Sequence, residues 1–235
     1  MNFREYREKT DKGIREDPYL RYVMRPPAVR LAYLVRNINA DYITILSIII
    51  VIFGGIVLSL GMPLIGAIII NFYLLIDCVD GTVARFRGPT PFGRYLDSIG
   101  ADMAYISMFS GAGMVTYILS GEVIFIVLGF ITALSKIMER YLRDKYVRIV
   151  VMGKPTEETK KEGGTKAESN NIGFLYRSLF SVGLYPIILL VAIIHSLFDF
   201  VLIWKIFVVV YALAMPLIAY ISIAHLIKLK KNTKK

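Results

Sequence analysis

Six apolar stretches, near residues 42–60, 63–87, 91–118, 121–145, 173–196 and 200–227, restrict this chain to few architectures. Each is long enough to cross a hydrocarbon core of about 30 Å at about 1.5 Å of rise per residue. The expectation is an all-α, polytopic membrane protein with six transmembrane helices. With 56% hydrophobic residues and a mean hydropathy of +0.58, a 235-residue chain has no room for a separate soluble domain.

The polar segments set the topology. Residues 1–41 form an N-terminal segment, 42–227 the membrane domain and 228–235 a basic tail. Pro26-Pro27 is expected to break the first of these. Beyond it, Val29, Leu31, Tyr33 and Leu34 alternate with Arg30 and Arg36, as in a short amphipathic helix lying at the interface. Asn37–Asp41 then supplies capping residues for the first span. The connectors at 60–62, 120–122 and 196–199 lack Lys and Arg, whereas the N-terminus, Arg85–Gly88, the 136–177 region and the tail are basic. Lys205 beside Trp204 is the exception and suits an interfacial anchor. The positive-inside rule puts both termini in the cytosol. Residues 153–171, polar and glycine-containing, are expected to be a mobile cytosolic loop. The net charge of +10 suits an anionic leaflet better than nucleic acid in so apolar a chain. One cysteine, Cys78, excludes an internal disulfide and a Cys-based zinc cluster. The first residues have no apolar core, so no cleaved signal peptide is expected.

Against this background, Asp77, Asp80, Asp97 and Asp102 stand out in the second and third apolar runs. An ionised side chain near a bilayer centre costs roughly 2.5–3.5 kcal/mol on insertion scales, so the cluster needs compensation. On a helix, Asp77, Asp80, Gly81 and Ala84 share one face, with two carboxylates able to meet one metal and two small residues leaving the backbone accessible. Arg85 beside them can meet phosphate oxygens with its forked guanidinium. Hard oxygen donors without His or Cys favour Mg²⁺ or Mn²⁺ over zinc. A carboxylate-bound cation, an arginine and a floor of small residues suit a pyrophosphate-containing ligand. Simple ion pairing with Arg85, Arg87 and Arg94 explains a lone aspartate better than it explains four.

Asp77-x-x-Asp80-Gly81-x-x-Ala84-Arg85, followed by Gly93-x-x-x-Asp97 and Asp102, resembles the signature of the CDP-alcohol phosphotransferases, integral membrane enzymes of phospholipid synthesis. Ala40–Thr44 resembles the family's Pro-(Asn/Asp)-x-x-Thr start of the first span, with Ala for Pro. The resemblance implies transfer of a substituted phosphoryl group from a CDP-alcohol to an alcohol acceptor with release of CMP, making residues 42–227 a catalytic domain. It implies Asp77, Asp80, Asp97 and Asp102 as ligands of Mg²⁺ (or Mn²⁺), with Asp102 also the general base. Gly81, Ala84, Arg85, Thr90 and Gly93, with Asp41 and Thr44, would bind the CDP-alcohol. Lys136, Arg140 and Arg177 would bind the acceptor, although anchoring at the cytosolic interface explains them more simply. Implied partners are a CDP-diacylglycerol-type donor or its ether analogue, an alcohol acceptor, membrane lipid and a second copy of the chain. A soluble CDP-alcohol with a lipid acceptor is the alternative within the class.

Two spacings depart from the signature. The segment between Arg85 and Gly93 is one residue short, and that between Asp97 and Asp102 one residue long. A regular helix would set these two aspartates about 140° apart instead of about 40°. The expectation is a π-bulge near Ser98–Ala101, eased by Gly100, that brings them together. Loose similarity of Ser135–Arg140 to the basic segment of glycerophosphate-using members weakens that acceptor assignment. Cys78, His195 and His225 are expected to pack, and Pro186 and Pro216 to kink their spans. From another class, a cation transporter would place its carboxylates at mid-membrane on repeat-related helices.

Overall fold

A computed structural model describes residues 2–10, 17–146 and 180–232. The predicted loop at 153–171, and Arg177, lie outside the described residues. The remainder is helical: α1 (Phe3–Thr10), α2 (Arg25–Leu34), α3 (Ala40–Ser59), α4 (Pro63–Arg87), α5 (Pro91–Ser120), α6 (Ile124–Tyr146), α7 (Leu184–Phe198) and α8 (Val201–Asn232). The protein is an all-α membrane protein. By length and apolarity alone, α3, α4, α5 and the Val201–Ile221 part of α8 can cross a bilayer. Among the described residues four helices meet that measure, so the expected count of six is not confirmed; the first part of the expected span at 173–196 lies outside the described residues. Helix α7 is apolar but has only 15 residues, and α6 carries Lys136, Glu139 and Arg140 in its second half.

The six longer helices pack in a ring whose neighbours run α7, α4, α3, α5, α6, α8 and back to α7, with α8 also touching α5. Its interior is filled by Val51, Leu58, Ile70, Met108, Ile188 and Trp204. Large apolar residues also cover the outside of α3, where Ile45, Leu46, Ile49, Phe53 and Ile56 are exposed. That distribution suits a lipid solvent, in which apolar side chains need no burial. Small residues bring the backbones together: a Cβ on Gly113 of α5 would stand 2.5 Å from the Phe125 carbonyl oxygen, and one on Gly129 of α6 2.7 Å from that of Phe109. Inside the ring, Asn71 of α4 donates to the carbonyls of Ala67 and Tyr185, 2.9 Å each, and accepts from the Tyr19 hydroxyl at 2.8 Å. A buried amide is thus satisfied across two helices and the N-terminal segment.

Pro26-Pro27 does not break the N-terminal segment. The prolines occupy the first turn of α2, where an N–H is dispensable, directly after a π-helical turn at Leu20–Met24. Helix α2 rests against α4 through Ala28 and Ala32, which pack with Val79 and Val83. Helix α5 is α-helical without interruption from Pro91 to Ser120, so the π-bulge expected near Ser98–Ala101 does not form. The only π-helical turn among the described residues is the one at Leu20–Met24.

Candidate active site and metal centre

Helix capping builds the rim of the site. Asn39 caps α3 by accepting from the Asp41 N–H at 3.1 Å, and Thr90 caps α5 by accepting from the Gly93 N–H at 2.8 Å. The Thr90 hydroxyl also reaches Asp41 Oδ1, at 3.4 Å, so the starts of α3 and α5 meet. Gly93 leaves room for this junction: a Cβ there would lie 2.8 Å from Asp41 Oδ1 and 3.0 Å from Thr90 Oγ1, so a larger residue would have to displace one of these side chains. Between α4 and α5 the chain turns at Gly88, whose φ of 101° is open to glycine and strained for other residues.

Within this frame, Asp77 and Asp80 of α4 and Asp97 of α5 each bring one carboxylate oxygen to within 4.8 Å of the others. Tyr73, one turn before Asp77, donates to Asp77 Oδ1 at 3.5 Å. Asp80 is buried, and its Oδ2 has no hydrogen-bond partner among the described residues. Thr44 and the Gly81 backbone lie beside the same carboxylate. A buried carboxylate oxygen without a partner is costly, and a cation removes that cost. Oxygens around one Mg²⁺ at about 2.1 Å sit about 3 to 4.2 Å apart, so modest side-chain adjustment closes the set on an ion. The donors are all hard oxygens, which fits Mg²⁺ or Mn²⁺.

Asp80 and Asp97 open on a cavity of about 430 Å³, which Asp41, Thr44, Gly81, Ala84, Arg85, Thr90 and Gly93 also line. Nine residues expected at the site from sequence therefore share one pocket wall, and Asp77 adjoins it through the carboxylate group. The lining also includes Asn39, Arg87 and Arg94, which lie outside the motif positions expected at the site. Arg87 donates to the carbonyls of Asn37 and Ile38, at 2.6 and 3.3 Å, and so ties the end of α4 to the start of α3. Its signal was the second arginine of Arg85-Phe86-Arg87, two positions along from the motif.

Asp102 is not part of the carboxylate group. The unbroken α5 helix turns it toward α6, where Arg140 Nε donates to Asp102 Oδ1 at 2.6 Å and the other end of the fork reaches the Ser98 carbonyl at 3.4 Å. With four residues between them, Asp97 and Asp102 point to different sides of a regular helix, so the structure does not bring Asp102 to the other three carboxylates expected as metal ligands. Lys136, 3% exposed, pairs with the equally buried Glu139 at 3.2 Å. Both α6 cations also lie over the Tyr105 ring, with centroid distances of 5.2 Å for Lys136 and 5.6 Å for Arg140. Neither lines the cavity that holds Asp80 and Asp97.

Fold and site together define a helical membrane protein whose carboxylate group and arginines face one polar cavity. The family model of CDP-alcohol phosphatidyltransferases matches residues 37–198, more than half of the chain, and the protein belongs to that family. No curated protein sequence matches it. Membership makes it a transferase of phospholipid biosynthesis that moves a phosphatidyl-type group from a CDP-alcohol to an alcohol.

Proposed function

We propose that the protein transfers a phosphatidyl group from CDP-diacylglycerol, or from its ether analogue, to a polar alcohol and releases CMP. The observation that carries this reading is the group of Asp77, Asp80 and Asp97 at the edge of a cavity that Arg85 also lines. Those three carboxylates would hold Mg²⁺, which when bound would neutralise charge on the pyrophosphate and on departing CMP. Arg85 meets phosphate oxygens, while Gly81, Ala84 and Gly93 leave room for the nucleotide against Asp41, Thr44 and Thr90. The acceptor oxygen forms a bond to the lipid-bearing phosphorus, and the bond from that phosphorus to the bridging oxygen breaks. CMP leaves with that electron pair. Asp102 takes the proton of the attacking hydroxyl from the α6 side of α5, its carboxylate oriented by Arg140.

The acceptor in this reading is a neutral or zwitterionic alcohol. Lys136 and Arg140 each have a carboxylate partner, Glu139 and Asp102, so an anionic acceptor would have to displace an existing ion pair. The basic segments around the cavity support a cytosolic site by the positive-inside rule, where lipid-held donor and water-soluble acceptor would meet.

The test is CMP release by purified protein in nanodiscs. Mg²⁺ is supplied with CDP-diacylglycerol, its ether analogue, or a soluble CDP-alcohol plus diacylglycerol. Serine, inositol, inositol phosphate and glycerol phosphate are the acceptors for the lipid donors. Release with a lipid donor and an uncharged or zwitterionic acceptor supports the proposal. Release only with the soluble donor moves the protein to the other branch of the class. No release with any pair, together with cation flux in liposomes, supports a transporter instead.

A further inference from the structure

Helix α1 precedes the part of the chain that matches the family, which begins at residue 37. It has eight residues and a charged composition, too short to be stable alone in water. A reciprocal cap starts it: the Asn2 side chain accepts from the Glu5 N–H at 2.9 Å, and Glu5 accepts from the Asn2 N–H at 3.3 Å. Its buried residues are Tyr6 and Thr10, one turn apart on one face. The Tyr6 ring, 0% exposed, lies 5.5 Å from that of Tyr33 and 4.9 Å from that of Phe86, which stands next to Arg85. Lys9 covers the same Phe86 ring at 5.0 Å. Burial at this position comes from the ring alone, because the Tyr6 hydroxyl has no hydrogen-bond partner among the described residues.

The last carbonyls of a helix have no partner within it and carry the negative end of its dipole. Here the Thr10 carbonyl accepts from Arg85 Nε at 3.1 Å, while Arg85 Nη2 donates to Thr82 Oγ1 at 2.9 Å. Arg85 Nη1 stands 3.4 Å from where a Cβ on Gly81 would be, at the floor of the cavity.

We infer that α1 is a working part of the donor site, with Tyr6 a positioning residue that acts through the Thr10 carbonyl on the Arg85 guanidinium. This rests on the reading of Arg85 as a donor-phosphate ligand. Undocking α1 frees the guanidinium on one side, so the donor binds a less ordered arginine, while the acceptor side is untouched.

The experiment uses the full chain in nanodiscs and has two readouts. In CMP-release kinetics, Tyr6→Ala raises the donor KM about tenfold, the order of one charge-assisted hydrogen bond. The acceptor KM stays within about twofold, and Tyr6→Phe, which keeps the ring, restores the wild-type donor KM. An unchanged donor KM in Tyr6→Ala, an equal rise in both KM values, or a Tyr6→Phe variant as impaired as Tyr6→Ala overturns the inference. The second readout needs no turnover: in hydrogen exchange, Arg85→Ala raises exchange of the residue 3–10 amides, and unchanged exchange there overturns the link. If wild-type protein releases no CMP, the enzymatic proposal fails by itself, and the exchange result alone decides whether α1 and Arg85 are coupled.

Discussion

Asp80 contributes most to the carboxylate group, because it is buried and one of its oxygens has no partner among the described residues. Asp80→Asn is expected to lower kcat at least about 10³-fold, as loss of a metal ligand should, and to abolish the response to added Mg²⁺ in a titration of turnover. Asp102→Asn separates two roles that the sequence merged. Outside the ligand group, it should reduce turnover while leaving the Mg²⁺ concentration for half-activity unchanged. A shifted metal requirement would return Asp102 to the ligand set, and full turnover would remove it from proton acceptance. The first half of the motif was legible because Asp77, Asp80, Gly81 and Ala84 recur at helical spacing on one element. Asp102 was not, because its expected place depended on a backbone irregularity that α5 does not have. Nothing in the sequence gives Tyr73 or Arg87 a role at the site, because an aromatic in an apolar run and an arginine at a span end are ordinary in membrane proteins.

Close approach and ion pairing couple the helices around the site. A Cβ on Gly113 meets the α6 backbone, so Gly113→Leu must push α5 from α6 and is expected to lower the melting temperature in detergent, by about 1–3 kcal/mol of overpacking. An unchanged melting temperature would show that this contact does not constrain the pair. On α6, Lys136→Met removes the cation that pairs with buried Glu139 and should destabilise by about 3–5 kcal/mol. Lys136→Met with Glu139→Leu should recover most of that loss, because the cost lies in keeping a buried carboxylate after its Lys136 ion pair is removed. A double variant as unstable as the single one would contradict this. Composition alone made α3, α4, α5 and α8 readable as helices able to cross a bilayer. It could not disclose that the α6 cations have internal partners, since nothing in Lys136 or Arg140 distinguishes an anchor from a paired charge. Nor could it place α1, whose docking depends on Tyr6 meeting Tyr33 and Phe86 from other elements.

For the molecule as a whole, the ring of helices carries its polar site at one end. The connectors containing Gly61, Gly121 and Asp199, where the backbone takes positive φ, lack Lys and Arg and belong to the other end. With the native Cys78 replaced, a cysteine introduced at Glu122 should be labelled from outside intact cells by a membrane-impermeant maleimide, and one at Arg36 should not. The reverse pattern would move the site out of the cytosol. The central claim is that the Asp77–Asp80–Asp97 group supports metal-dependent transfer from a CDP-linked lipid. Its most direct measurement is CMP released from CDP-diacylglycerol and its ether analogue by wild-type and Asp80→Asn protein, with Mg²⁺ and with EDTA, across the alcohol acceptors. The account predicts release only by wild-type protein with Mg²⁺ present. CMP release that survives EDTA or the Asp80→Asn substitution, or none from wild-type protein with any acceptor, would contradict it.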